Sequence, residues 1–266
     1  MNILVCVKQV PDTAEFRIDP ATNNIIRRGI PSIVNPFDLY ALEMAVRLKE
    51  EHLAVGITAL SMGSRQAEAT LRHCLSIGAD KAYLASDSAF AGADTLATSY
   101  VLAKAIRCIE AEEGPFHLIL CGKQAIDGDT AQTGPELAEH LGYPQVTCVK
   151  EIYLNGDGIQ AIRESSRGFE RWESSLPAVM TISTLDFEPR SPTAGAKLAA
   201  KRAIVRTLRI EDIQAVPERC GLKGSPTAVR ETFTLPQKAR RVLIDGKNAR
   251  EAGETLAALL IEGGRI

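Results

Sequence analysis

The chain has 266 residues, 45% of them apolar, and its 31 basic and 33 acidic side chains leave a formal charge of -2. That composition can build one large core and excludes the basic excess expected of a general nucleic-acid binder. The opening MNILVCVKQV has neither the apolar length nor the basic start of a secretory leader, and no run approaches the ~20 apolar residues of a membrane span. Six cysteines at 6, 74, 108, 121, 148 and 220 show no CxxC spacing, so we expect reduced core thiols in a cytoplasmic protein.

In chain order, residues 2–10, NILVCVKQV, form the nearly unbroken apolar run of a strand buried on both faces. After a loop, NPFDLYALEMAVRLKEE predicts a helix with Asn35 as N-cap and Pro36 at the first helical position. AVGITALSMG is a second strand, and SRQAEATLRHCLSIG a second helix, from Ser64 as cap to Gly78 as stop. DKAYLAS, ADTLATSYVLAKAIRCIEAEEG and FHLILCG continue as strand, helix and strand. This alternation predicts an α/β fold: a doubly wound, mainly parallel sheet with right-handed crossovers, the layout of adenine-nucleotide-binding domains of the universal-stress type. Beyond Tyr143 we expect a short extension of antiparallel strands, with Asn155-Gly156-Asp157-Gly158 as a turn and Trp172 packed among them. From Leu185 long apolar runs vanish. We expect an α/β domain over 1–184 and, over 185–266, an extended C-terminal arm on another surface, ending in a helix at 248–261.

In an open parallel sheet, ligands sit beyond the carboxyl ends of the strands. Those ends bring together Cys6 to Gln9, Met62-Gly63 and the loop GKQAIDGDTAQT, which runs from Gly122 to Thr133. Gly122, Ala125, Gly128 and Ala131 admit a ligand close to the backbone, and Thr130, Gln132 and Thr133 offer hydroxyl and amide groups. A helix starting near Thr133 adds free N–H groups and a positive dipole end, a cradle for a phosphate or pyrophosphate. The alternative is an ordinary corner with Asp127 and Asp129 as solvated turn residues. GxxxxGK[ST] and GxGxxG are both absent, the histidines at 52, 73, 117 and 140 lack metal spacing, and no nucleophile stands beside the two aspartates. No catalytic residue and no metal site are expected.

VKQVPDT at 7–13, NPFDLYALEMAVRLKE at 35–50, SMGSRQAEATLRHCLSIGADKAYL at 61–84, GKQAIDGDTAQTGPELAEHLGYPQ at 122–145 and LPAVMTIS with EPR at 176–190 resemble the beta subunit of electron transfer flavoproteins. The resemblance covers essentially the whole chain, and GKQAID is its most specific block. It implies an obligate heterodimer whose alpha subunit carries an FAD. It also implies a second adenine nucleotide here, AMP in simple shuttles and FAD in electron-bifurcating members. The implied adenylate contacts are Cys6, Asn35, Pro36, Phe37, Asp38, Met62, Gly122, Lys123, Gln124, Ala125, Ile126, Asp127, Gly128, Asp129, Thr130, Ala131, Gln132 and Thr133.

VKQVPDT and SAFAGADTLATS resemble the bifurcating branch, so FAD is expected, with its ring reaching toward Val10 to Thr13 and toward Ala91 to Thr95, beside Asp94 and Thr95. NADH would then be the hydride donor, and the alpha-subunit FAD and a carrier such as ferredoxin the acceptors. The plainer alternatives are AGADT as a loop in which Asp94 caps the third helix, a shuttle subunit with structural AMP, and a stand-alone nucleotide-binding regulator of the stress type. The resemblance also implies docking of an acyl-CoA-type dehydrogenase between Arg190 and Ala200. The family's leucine anchor falls on Ala194 here, so the expectation is either a different docking mode that uses Leu198 or a different partner.

Overall fold

The computed structural model describes residues 1–12, 31–52, 55–156, 158–227, 243–246 and 248–263. β1 (Asn2–Cys6) ends short of the expected run over 2–10. The Lys8 N–H donates to the Asp38 carboxylate at 2.7 Å, and the chain leaves the sheet at that point. β2 (Gln9–Pro11) instead pairs antiparallel with β3 (Ser32–Val34) as a separate ribbon.

α1 (Pro36–Glu51), β4 (Gly56–Met62), α2 (Glu68–Ile77), β5 (Lys81–Ala85), α3 (Thr95–Glu113), β6 (Leu118–Gly122) and α4 (Thr133–Leu141) follow in the expected alternation. A single turn of 3-10 helix, Arg65–Ala67, separates Ser64 from α2. The third section of the chain then supplies β7 (Gln145–Asn155), β8 (Gly158–Ser165), β9 (Gly168–Ser175) and β10 (Ala178–Ile182).

The strand order is β5-β4-β1-β6-β10-β7-β8-β9, and β11 (Val205–Leu208) adds to the β5 edge. The expectation that residues beyond Tyr143 are all antiparallel is corrected. β10 slots between β6 and β7, parallel to both, and only β7, β8 and β9 run antiparallel to one another. The reason is that β10, AVMTI, is buried at every position, as a central parallel strand must be.

Both faces of the sheet are covered. Ile3 and Val5 of β1 enter the core under α1 and α2, while Leu4 and Cys6 enter the core with α3 and α4. Trp172 lies on β9 opposite Ala161, with the Arg163 guanidinium 5.6 Å from its ring, and it stays 44% exposed.

Past Leu185 the chain is less arm-like than expected. α5 (Ala194–Arg202) packs on α2, where the Arg72 guanidinium donates to the carbonyls of Ala200, Lys201 and Ala203, a cation satisfying a helix C-terminus. Residues 209–227 then lie against the start of α3: Val216 N–H donates to the Tyr100 hydroxyl, and Leu222 N–H to the Ala91 carbonyl. α6 (Ala249–Glu262) forms where the final helix was expected, capped by Asn248, but buries no residue among those described, leaving Leu256 and Ile261 exposed.

Candidate functional site

The carboxyl ends of β1, β4 and β6 are adjacent, with Cys6 in register with both Leu60 and Cys121. Cys6 and Cys121 are buried and form the floor, and Met62 ends β4 beside them. Contact with the Cys121 thiol and burial push the Cys6 thiol up, so Cys6 stays protonated and inert. All six cysteines are free.

Asn35 takes the N-cap position of α1 as expected, its carbonyl accepting from the Asp38 and Leu39 N–H groups, but its side chain makes no cap hydrogen bond there. Its amide instead donates to the Gln124 carbonyl at 2.9 Å, and its side-chain oxygen accepts from the Ile126 N–H at 3.2 Å. Pro36 occupies the first turn, where its missing N–H costs nothing. Phe37 carries the Lys123 ammonium 5.0 Å over its ring.

Asp38 is fully buried and accepts from the N–H of Lys8 at 2.7 Å and of Gly122 at 3.1 Å. Burial raises its pKa to about 7, against the opposing pull of Asn35 and those two N–H groups. Sequence reasoning placed Gly122 beside the ligand. The structure gives it another partner, because a Cβ there would overlap the Asp38 carboxylate and the Phe37 backbone. Gly134 likewise makes room for Thr181, whereas Gly128 faces open space.

The loop itself is exposed from Asp127 to Gln132. Asp129 and Ala131 hold the left-handed conformation, with φ of 52° and 55°. Its first half is self-bonded, with the Gly128 and Asp129 N–H groups returning to the Ala125 carbonyl. Among the described residues, the N–H groups of Thr130, Ala131 and Gln132 have no partner, and they lead into the N-terminus of α4 at Thr133. Successive outward N–H groups at alternating backbone hands make an anion-binding concavity. The acids do not spoil it: Asp127 is paired with the Lys8 ammonium at 2.7 Å, and Asp129 accepts from the Gln124 amide at 2.8 Å. A phosphate-bearing ligand therefore fits this corner. Lys8 lies in the strand end expected to reach the site, but its pairing with Asp127 was not anticipated from sequence.

The second corner is built differently. Asp94 caps α3 through the Ala97 N–H at 3.1 Å, as the plainer alternative held. Its other oxygen accepts from the Thr227 N–H and hydroxyl, and its own N–H donates to Ser225. The space that the run Ala91-Gly92-Ala93 was expected to leave is partly taken, since a Cβ on Gly92 would overlap Leu222. Thr95 donates to Glu136 at 3.1 Å and lies 3.4 Å from the Gln132 side chain, which joins the two corners. Val10 is buried in the small ribbon, and Thr13 lies outside the described residues.

Arg190 was expected to open a docking segment, and it is anchored first. Its guanidinium holds the buried carboxylate of Glu43 at 2.8 Å and also pairs with Glu50. A glutamate on the apolar face of α1 was the sequence signal for this partner. Ala194 starts α5, and Leu198 stands 54% exposed.

The model of the electron transfer flavoprotein domain matches residues 22–212. The chain belongs to the electron transfer flavoprotein family. Its relatives include an electron transfer flavoprotein subunit beta from Megasphaera elsdenii, 49% identical over 90% of this chain and 89% of the relative. The subunit beta of Thermoanaerobacterium thermosaccharolyticum is 45% identical over 98% of both chains. Subunit CarD of the caffeyl-CoA reductase-Etf complex of Acetobacterium woodii is 42% identical over 98% of both. Among the described residues, no helix is long and apolar enough to cross a membrane.

Proposed function

We propose that this chain is the beta subunit of a heterodimeric electron transfer flavoprotein and holds an adenine nucleotide, FAD by preference, across the ends of β1, β4 and β6. The observation that carries the reading is the corner at 123–132, where unpaired N–H groups and an open Gly128 meet the start of α4. The adenylate would rest on Asn35 to Asp38 and Met62, and the phosphates on Thr130 to Thr133. The pyrophosphate of FAD suits the width of this site, because Thr95 and Gln132 bring the starts of α3 and α4 side by side. A bound flavin supplies one- and two-electron chemistry; this chain supplies placement, N–H donors and the exclusion of water. NADH is then the expected hydride source, and the alpha-subunit FAD and a ferredoxin-like carrier the onward acceptors, in a cytoplasmic complex.

One observation favours AMP instead: Leu222 narrows the space beside Gly92. Cofactor extraction from the purified heterodimer decides between them. Two FAD per heterodimer is the expected result, whereas one FAD with one AMP makes the protein a simple shuttle. The exposed α6 and the division between 1–184 and 185–266 fit a C-terminal region that completes its burial on the alpha subunit. The exposed face of α5, with Leu198 at its centre, is proposed to receive an acyl-CoA-type dehydrogenase.

A further inference from the structure

We propose that the Asp38 side chain is a proton-operated clasp on the nucleotide site: ionised, it ties the two walls of the site together, and protonated, it lets one of them go. This rests on the nucleotide reading above and goes beyond it, because the Asp38 carboxylate here is a positioning group acting through the backbone of Lys8 and Gly122.

The geometry is specific. One carboxylate oxygen accepts from Lys8 N–H, where the chain leaves β1, and the other from Gly122 N–H, where the 123–132 loop begins. Both oxygens are therefore engaged, and each holds a different wall. Among the described residues no strand takes either N–H, because the ladder between β1 and β6 ends at Cys6 and Cys121. Glycine at 122 is what lets the carboxylate approach so closely. Asn35, next on the same turn, fastens the loop further along through Gln124 and Ile126.

A carboxylic acid has one acceptor oxygen and one O–H donor, so protonation leaves either Lys8 or Gly122 without its partner. The surroundings place that event in the physiological range, since burial brings the group to about pH 7. The two thiols that act on it are pushed away from that range. Cys6 on β1 and Cys74 on α2 are thiols pushed up, Cys6 by Cys121 and burial and Cys74 by burial. Lys8 acts on Asp38 as a nearby cation, its ammonium committed to Asp127. The proton thus relieves a buried charge while loosening the loop that carries the phosphate-binding N–H groups.

The test is release of radiolabelled AMP loaded into nucleotide-stripped heterodimer at pH 8 and pH 6. In the wild type, release is expected to quicken about ten-fold between these values with a midpoint near 7, the effect of losing one charge-assisted hydrogen bond. Asp38→Asn should release AMP quickly at both values while its thermal melting shows a folded heterodimer. Because the AMP phosphate itself titrates near pH 6, the reading is the difference between the two proteins. A parallel measurement with adenosine, which has no phosphate to rest on that loop, is the control, and its release should change little with pH. Equal pH dependence of AMP release in both proteins, or adenosine release that quickens as much as that of AMP, overturns the clasp alone. A wild-type heterodimer that takes up no AMP at pH 8 overturns the nucleotide reading and the clasp with it.

Discussion

Two strand-to-helix corners stand at the same edge of the sheet, 86–94 after β5 and 123–132 after β6, and both are rich in small residues and aspartate. In the first, the aspartates turn inward. Asp87 takes the N–H groups of Ala89 and Ile210, and Asp94 those of Ala97 and Thr227. In the second, Asp127 and Asp129 turn to Lys8 and Gln124, and the N–H groups of Thr130 to Gln132 stay open. Gly92 in the first corner accommodates Leu222, whereas Gly128 in the second meets nothing among the described residues. Small residues at a strand end are therefore not evidence of a ligand by themselves. The decisive feature is whether the corner's own acids consume its N–H donors.

The largest expected effect sharpens this contrast through pH. Asp38 braces the second corner with a pKa raised by burial to about 7 from 3.8. Ionising a carboxyl raised in this way charges a buried site, so its contribution to global stability is fully present below the unfolded value and lost as pH rises through 7, although it is the ionised form that holds the clasp. A displacement of this size corresponds to roughly 4 kcal/mol for a fully buried group. The acids of the first corner have the opposite sign. The Ala89 N–H holds Asp87 below the usual carboxylate range, and the bonds from Ala97, Thr227 and Ser225 outweigh burial at Asp94. Their contribution is present above the unfolded carboxylate range and is lost only as pH falls through their lowered values. Denaturant unfolding of the heterodimer from pH 5 to pH 8 should show stability falling with pH, and Asp38→Asn should flatten that slope. An unchanged slope in the variant would remove Asp38 as its source.

The next test uses glycines. Gly122→Val drives a branched side chain into Asp38 and the Phe37 backbone and should cost about 3 kcal/mol or more. Gly92→Val meets Leu222 at a φ of 73° and should cost about 2 kcal/mol, loosening 221–227 without changing nucleotide content. Gly128→Ala has no neighbour to meet, so stability should stay within about 0.5 kcal/mol. Its methyl would stand in the open mouth, however, and bound nucleotide should fall. Thermal melting beside nucleotide content separates the three. Gly128→Ala with full nucleotide content would place the ligand away from this loop.

Much of this was legible in the chain. The alternation of apolar runs with capped helices gave the parallel sheet because strands such as ILVC and LILC are buried on both faces. β10 was misplaced because periodicity reports burial, not which neighbour a strand joins. β11, VRTL, is a half-exposed edge strand with no apolar run to betray it. At the site, residue types were legible and roles were not. Asn35 looked like a cap, Gly122 like ligand room and Asp94 like a wall of a flavin pocket. In each case the true partner lies 80 or more residues away in the chain or on the far side of a turn. An Asp94→Arg change would thus break a helix cap and release Ser225 and Thr227, so loss of a flavin in that variant would not locate the ring.

The smallest effect concerns the ion pair that distinguishes the second corner. Lys8 and Asp127 are partly exposed, with side chains 49% and 30% accessible, so the pair should add less than about 1 kcal/mol to stability. Lys8→Met keeps the length of the apolar stem, and melting should barely move. The change in charge is the sharper probe. Removing the ammonium leaves Asp127 as an uncompensated negative charge one turn from the open N–H groups, where a phosphate would feel it. Nucleotide affinity should drop a few-fold at low salt. At 1 M salt, where the screening length falls to about 3 Å, wild type and variant should converge. Adding Asp127→Asn to Lys8→Met should restore affinity at low salt, because the repelling charge is then gone. If the double variant binds as weakly as the single one, Lys8 acts by direct contact with the ligand, and Asp127 is only its resting partner.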